Sequence, residues 1–190
     1  MTVTTPELPR NLSAGPQQQL ADIVSRWAQR SGMSQTAIGG VDLYRSDGLT
    51  PCASTVYEPS LIFILQGTKT IQLGDREIVY GPMSYLASSV HLPVQGQIVD
   101  ACKDHPYLAA KITVDPQEVT DPVLELGDKV ASFDPDSPCP EISCGLCMSH
   151  MDERMQGALY RLLSLLDSPD DIQVLAPLAR REIIYRALIG

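Results

Sequence analysis

Four side chains able to hold a soft metal ion crowd into the twelve residues from Cys139 to His150, namely Cys139, Cys144, Cys147 and His150. Thiolates and imidazole are the usual ligands of a tetrahedral structural zinc ion. The spacing Cys-x4-Cys-x2-Cys-x2-His matches no standard zinc module, and the second, distant ligand pair of most structural sites is missing, so no metal ligand is assigned. Cys144-Gly-Leu-Cys147 also has the spacing of a redox pair, ahead of a predicted helix whose N-terminus would lower a thiol pKa. No βαβ pattern leads into it, which leaves ordinary linker cysteines as the reading. No serine sits in a Gly-x-Ser-x-Gly elbow, and Gly39-Gly40 lacks the flanks of a phosphate loop. Catalysis and a bound cofactor are therefore not expected.

Small-molecule binding needs less: a concave apolar wall carrying a few polar groups. Tyr57, Phe63, Leu65, Tyr85, Ser88 and His91 are the candidates for such a wall. His91 is either a hydrogen-bonding pocket residue or a surface residue of the segment Ser89 to Val94, and core packing competes for Phe63. A shift of one residue in strand register exchanges every candidate for its neighbour.

The elements that position these residues are mostly short strands. Leu61 to Leu65 is a continuous apolar run, Gln66-Gly67 a turn, and Thr68 to Leu73 alternates polar with apolar. Gly74-Asp75 makes a hairpin turn, Arg76 to Tyr80 returns with Ile78 and Tyr80 on one face, and Gly81-Pro82 closes it. Val41 to Arg45 and Ala109 to Val114 are further strands, with Asp104-His105-Pro106 a turn. Before them, Leu20, Ile23, Val24 and Trp27 fall on one face of a helix within Gln17 to Arg30. After them, Asp152 caps a helix whose Met155, Leu159, Leu162 and Leu166 form an apolar stripe. Pro177 fits the first turn of a last helix that buries Leu178, Ile184 and Leu188. The fold class is α+β, mainly β: an antiparallel barrel with an N-terminal helix and a C-terminal helical pair.

Residues 1–16 read as a flexible arm, 17–131 as helix plus barrel, 132–150 as a Pro-rich linker and 151–190 as a helical dimerisation segment. The 190 residues carry 14 Lys+Arg against 23 Asp+Glu, and a net charge of -9 repels the phosphate backbone of DNA. No apolar run spans a bilayer, no secretory pattern opens the chain, and five cysteines cannot all pair, so a reduced, cytoplasmic protein without membrane contact is expected.

The ordered series Tyr57-Glu58-Pro59-Ser60, Gln66-Gly67, Leu73-Gly74-Asp75, Tyr80-Gly81-Pro82, Tyr85-Leu86 and Leu92-Pro93-Val94 resembles the N-terminal effector domain of AraC-type transcriptional regulators. Leu162-Leu163, Leu165-Leu166-Asp167, Ala176-Pro177-Leu178, Arg181-Glu182-Ile183 and Tyr185-Arg186 resemble the helical end of that domain. The resemblance spans most of residues 37 to 190. It implies a cupin-like barrel that binds a small-molecule effector, helices that make a homodimer, and DNA contact only through helix-turn-helix motifs, which these residues do not include. Metal-dependent cupin enzymes hold their metal with a His-x-His pair; here that strand reads Gln66-Gly67-Thr68-Lys69-Thr70. A metal-dependent cupin enzyme and a non-catalytic interaction module remain the alternatives. The dimer seam is assigned to Met155, Leu159, Leu162 and Leu166, in preference to packing of that stripe on the barrel.

Overall fold

The apolar run Leu61 to Leu65 becomes the middle of a strand covered on both sides, and the rest of the architecture follows from that double burial. The computed structural model describes residues 15–74, 76–126 and 145–189. In chain order the elements are α1 (Pro16–Trp27), β1 (Gly32–Gln35), β2 (Val41–Ser46), β3 (Ala53–Tyr57), β4 (Ser60–Gln66), β5 (Thr68–Leu73), β6 (Arg76–Tyr80), β7 (Ser84–Ser88), β8 (Leu92–Asp100), β9 (Tyr107–Thr113), α2 (Pro116–Leu126), β10 (Leu146–His150), α3 (Glu153–Ser164) and α4 (Ile172–Ile189). Two short 3-10 turns, Leu165–Asp167 and Pro169–Asp171, join α3 to α4.

The strands form two antiparallel sheets, one of order β1-β2-β9-β4-β7-β10 and one of order β3-β8-β5-β6. The mainly antiparallel α+β class expected from the sequence is thus the class observed. One core fills the space between the six-stranded sheet and the helices, and holds Leu20, Val24, Leu43, Phe63, Leu65, Leu159, Leu162 and Ile183. The second lies between the two sheets and holds Tyr57, Ile64, Ile71, Ile78, Tyr80, Leu86, Ile98 and Tyr107. Alternation along each strand deals successive side chains to these two cores. At the β4–β5 turn Gly67 has φ 77°, and a Cβ there would lie 2.6 Å from the Asp100 carbonyl oxygen and 2.9 Å from Tyr107 Cα. Only glycine fits so close a crossing of backbones.

Several elements differ from the sequence expectation. Residues 116–126, read as part of the barrel, are helix α2. Its start is marked by Pro116 and a capping box: the Gln117 amide donates to Asp115 Oδ1 (2.9 Å) while Glu118 Oε2 accepts from the Asp115 amide (3.0 Å). Residues 146–150, read as the end of a linker, are strand β10, paired with β7 in the register Cys147↔Ala87. Residues 132–144 of the linker and 1–14 of the arm lie outside the described residues, and Pro16, read as the end of the arm, is the first residue of α1.

Trp27 is 45% exposed rather than packed on the barrel, its indole N–H donating to Asp167 Oδ1 at 3.3 Å. Asp152 does cap α3, accepting from the Met155 amide at 2.7 Å. The stripe Met155, Leu159, Leu162 and Leu166 corrects the dimer assignment: all four are buried in the protomer's own helix-facing core. A side chain covered by its own chain has no surface left for a partner. Helix α4 begins at Ile172, so Pro177 stands inside it on an exposed turn, where water can satisfy the carbonyl that proline leaves unbonded. Leu178, expected inside, is 63% exposed, whereas Ile184 is buried and Leu188 half-buried.

Candidate functional site

Thr68 to Leu73 alternates so that Lys69, Ile71 and Leu73 share one face of β5, and that face looks into the space between the sheets. A lysine is thereby placed where the strand's own pattern calls for an apolar residue. Lys111 on β9 repeats the arrangement, sharing its face with Tyr107 and Ala109. Both ammonium groups line a chamber of about 360 Å³ between the sheets, whose apolar walls are Val56, Ile62, Ile98 and Ala109. The chamber also carries Tyr44, Tyr57 and Tyr107.

The Lys69 ammonium donates to Tyr57 Oη at 3.1 Å and lies 5.5 Å from that ring's centroid, within cation–π range. Behind it, Tyr57 Oη and Tyr80 Oη share a hydrogen bond of 3.0 Å. Burial pushes the Tyr80 hydroxyl well above its ordinary pKa, and the neighbouring Tyr57 phenol adds to the effect. Burial does the same for Tyr107, whose ring meets Tyr44 edge-on at 5.9 Å. These phenols stay protonated at neutral pH and act as hydrogen-bonding groups rather than bases. Lys111 is held by Glu58, and that hydrogen bond, with the attraction of the ammonium, keeps the Glu58 carboxyl below the usual carboxylate range. An apolar hollow bearing phenols and ammonium groups is suited to hold and orient a small organic molecule.

Two other hollows flank the helices. A cleft of about 850 Å³ runs between the Gly39-Gly40 loop, α2 and α4, with His91 at its lip. Its charges are matched internally: Arg180 donates to Glu118 Oε1 (3.0 Å) and Oε2 (2.8 Å), to the Thr113 carbonyl (2.7 Å) and to the Gly39 carbonyl (3.1 Å). Burial is the largest influence on the Glu118 carboxyl and raises it, but the Arg180 hydrogen bonds, the Asp115 amide and the guanidinium charge together outweigh it, leaving a net lowering. This node fastens α4 to the barrel. An apolar groove of about 500 Å³ has Ser88, Val119, Cys147 and Ile184 in its lining, and no role is assigned to it.

Residues 37–190 match the family model described as AraC-type transcriptional regulator N-terminus. The chain belongs to this family. The resemblance expected from the residues is therefore shown, and the family is a non-enzymatic one. No curated protein matches the chain. Among solved structures, an apo ToxT K231A from Vibrio cholerae strain SCE256 is similar at 8% identity and TM-score 0.48, over 81% of this chain and 60% of ToxT. The AraC-like transcriptional activator CuxR is similar at 9% identity and TM-score 0.46, over 92% of this chain and 67% of CuxR. A ToxT structure with an unsaturated fatty acid bound is similar at 8% identity and TM-score 0.44, over 79% of this chain and 55% of ToxT. The chain spans about three fifths of the length of the first of these.

Within this AraC-type domain the six expected pocket residues separate. Tyr57 faces the chamber, but Phe63, Leu65 and Tyr85 lie on the opposite face of the six-stranded sheet, in the helix-facing core, with Phe63 and Tyr85 stacked at 5.4 Å. Ser88 donates to the Val90 carbonyl at 2.9 Å beside the apolar groove, and His91 is exposed outside the chamber. Lys69 and Lys111 were missed, although a lysine in step with Ile71 and Leu73 is a signal the sequence carries. Cys147 and His150 stand three apart on β10 and so point to opposite faces of the sheet, which denies them a shared ion. Cys139 and Cys144 lie outside the described residues. No helix among the described residues is long and apolar enough to cross a membrane.

Proposed function

We propose that this chain is the effector-binding and dimerisation domain of an AraC-type transcriptional regulator, and that its effector is a small molecule held in the chamber between the sheets. The observation that supports this reading is the unfilled, lysine-bearing interior of a sheet whose other face is tightly packed. The net charge of -9 supports a reading in which DNA contact belongs to a helix-turn-helix domain rather than to this one, and membership of a transcriptional-regulator family supports action in the cytoplasm. Effector binding transmits a signal by favouring one arrangement of barrel and helices over another.

The dimer is proposed on α4 instead of α3. Helix α4 is apolar on both faces: Ala176, Ala179, Ile183 and Ile184 are buried, while Val174, Leu175, Leu178, Tyr185 and Ile189 are exposed. Leu175, Leu178, Glu182, Tyr185 and Ile189 recur at alternating spacings of three and four residues, the repeat of a helix–helix seam. Two copies of α4 packed antiparallel about Glu182 set Leu175 of each against Ile189 of the other.

Native mass spectrometry of the purified chain, compared with its denatured mass, tests both parts. A dimer that carries an organic mass, and a Leu178→Asp variant that is a folded monomer, are the expected results. A monomer at every concentration overturns the dimer, and a stoichiometric metal on each chain overturns the effector reading.

A further inference from the structure

We propose that the molecule sensed in the chamber is an organic monoanion, a carboxylate or sulfonate on an apolar body of one or two rings, with Lys69 as its charge partner. The proposal rests on the reading of the chamber as the effector site and names the chemistry of its ligand. Lys69 is half-buried, and among the described residues no carboxylate lies within ion-pair distance of it. Its hydrogen-bond partner is the Tyr57 hydroxyl. A half-buried ammonium group without a counter-charge offers an anion a charge-assisted hydrogen bond.

The backbone is shaped around that ammonium. Gly96 on β8 lies opposite Ile71, and a Cβ there would meet Lys69 Cε at 3.0 Å and Nζ at 3.5 Å. The missing side chain is the notch through which Lys69 reaches into the chamber, which makes Gly96 a positioning residue. The second ammonium, Lys111, is already neutralised by Glu58. One uncommitted cation suits one negative charge and disfavours a dianion such as a phosphate monoester. The remaining walls, Val56, Ile62, Ile98 and Ala109 with the rings of Tyr44 and Tyr107, ask for an apolar or aromatic body. The volume of about 360 Å³ limits that body to the small end of ligand sites.

The test uses two fluorescent probes with the same aromatic body: the sulfonate 1-anilinonaphthalene-8-sulfonate and its uncharged counterpart N-phenyl-1-naphthylamine. Titrated into the intact chain, the sulfonate is expected to bind about tenfold or more tightly than the neutral probe. Lys69→Met should abolish that preference, and Lys69→Arg should keep it. Gly96→Val should weaken the sulfonate more than the neutral probe. Equal affinities in the wild type, or a preference that survives Lys69→Met, overturn the anion assignment and leave the chamber standing. Binding of both probes that persists in Ala53→Trp, which fills the chamber mouth, or binding of neither to the wild type, overturns the chamber as the effector site itself.

Discussion

The two faces of the six-stranded sheet are built for different tasks. On the helix side, Leu20, Val24, Phe63, Leu65, Leu159, Leu162 and Leu163 are completely covered, with charged groups kept outside. On the other side the same strands present Tyr44, Tyr107, Lys69 across the gap, and Lys111 to a hollow of about 360 Å³. Close packing supplies stability, and a hollow forgoes it. The contrast teaches that the helices complete the packing of one face of the sheet, whereas on the other face the second core fills only part of the space and leaves room for a ligand.

The contrast is broken most forcefully at Leu162. Leu162→Ala should cost about 3 to 4 kcal/mol in urea denaturation, and Leu162→Asp should leave the chain unfolded, because a carboxylate at that position has no partner. A folded Leu162→Asp monomer would mean that α3 is a partner-facing seam after all. Next in size is Arg180→Met, which strands Glu118 and two backbone carbonyls. It should lower stability by about 2 kcal/mol, read in the same denaturation experiment.

Chamber residues should behave in the opposite way. Lys69→Met is expected to shift stability by no more than about 1 kcal/mol in either direction, since it removes a poorly partnered charge. Leu178→Asp sharpens the distinction between buried and exposed apolar residues: size-exclusion chromatography with light scattering should report a monomer, at a stability within about 0.5 kcal/mol of wild type.

The smallest effect is one of pH. Glu118 and Glu58 have carboxyl groups lowered in the folded chain, so on acidification the unfolded chain takes up their protons first. Their contribution is complete at neutral pH and is lost as pH falls below about 4.3, the ordinary Glu value, and on through the lower folded values. Glu118→Gln should therefore lower stability at pH 7 by a few tenths of a kcal/mol and flatten its decline with acid, as measured by thermal melts between neutral and acid pH.

Much of the fold was legible because local chemistry sufficed. Gly67 and Gly74, both with positive φ, marked turns, Asp152 marked a helix start, and the ordered motifs from Tyr57 to Arg186 marked the family. The Asp115-Pro-Gln-Glu118 capping box was equally local and was passed over in favour of a continuing barrel. β10 was hidden for another reason: five residues behind a Pro-rich stretch carry too short a pattern, and pairing with β7 is what makes them a strand. The site was less legible than the fold. Tyr57 lines the chamber, while Phe63, Leu65 and Tyr85 lie one residue out of step with it, on the opposite face.

Sequence by itself determined the class of fold, the turns, the helix caps, the family and the absence of a His-x-His pair, because each depends on neighbours in the chain. Tertiary structure alone decided which face of each strand is the inside of the chamber. Alternation separates the residues of a strand into two sets, but polarity names the inner set only when the other set is wet. In Leu61-Ile62-Phe63-Ile64-Leu65 the odd-numbered residues are packed on the helices and the even-numbered ones face the second sheet, so both read as interior. Helix α4, with apolar residues on both its buried and its exposed faces, posed the same problem. Packing of its Ile183 face into the helix-facing core, against α3 and α2, is what left Leu178 and Tyr185 exposed.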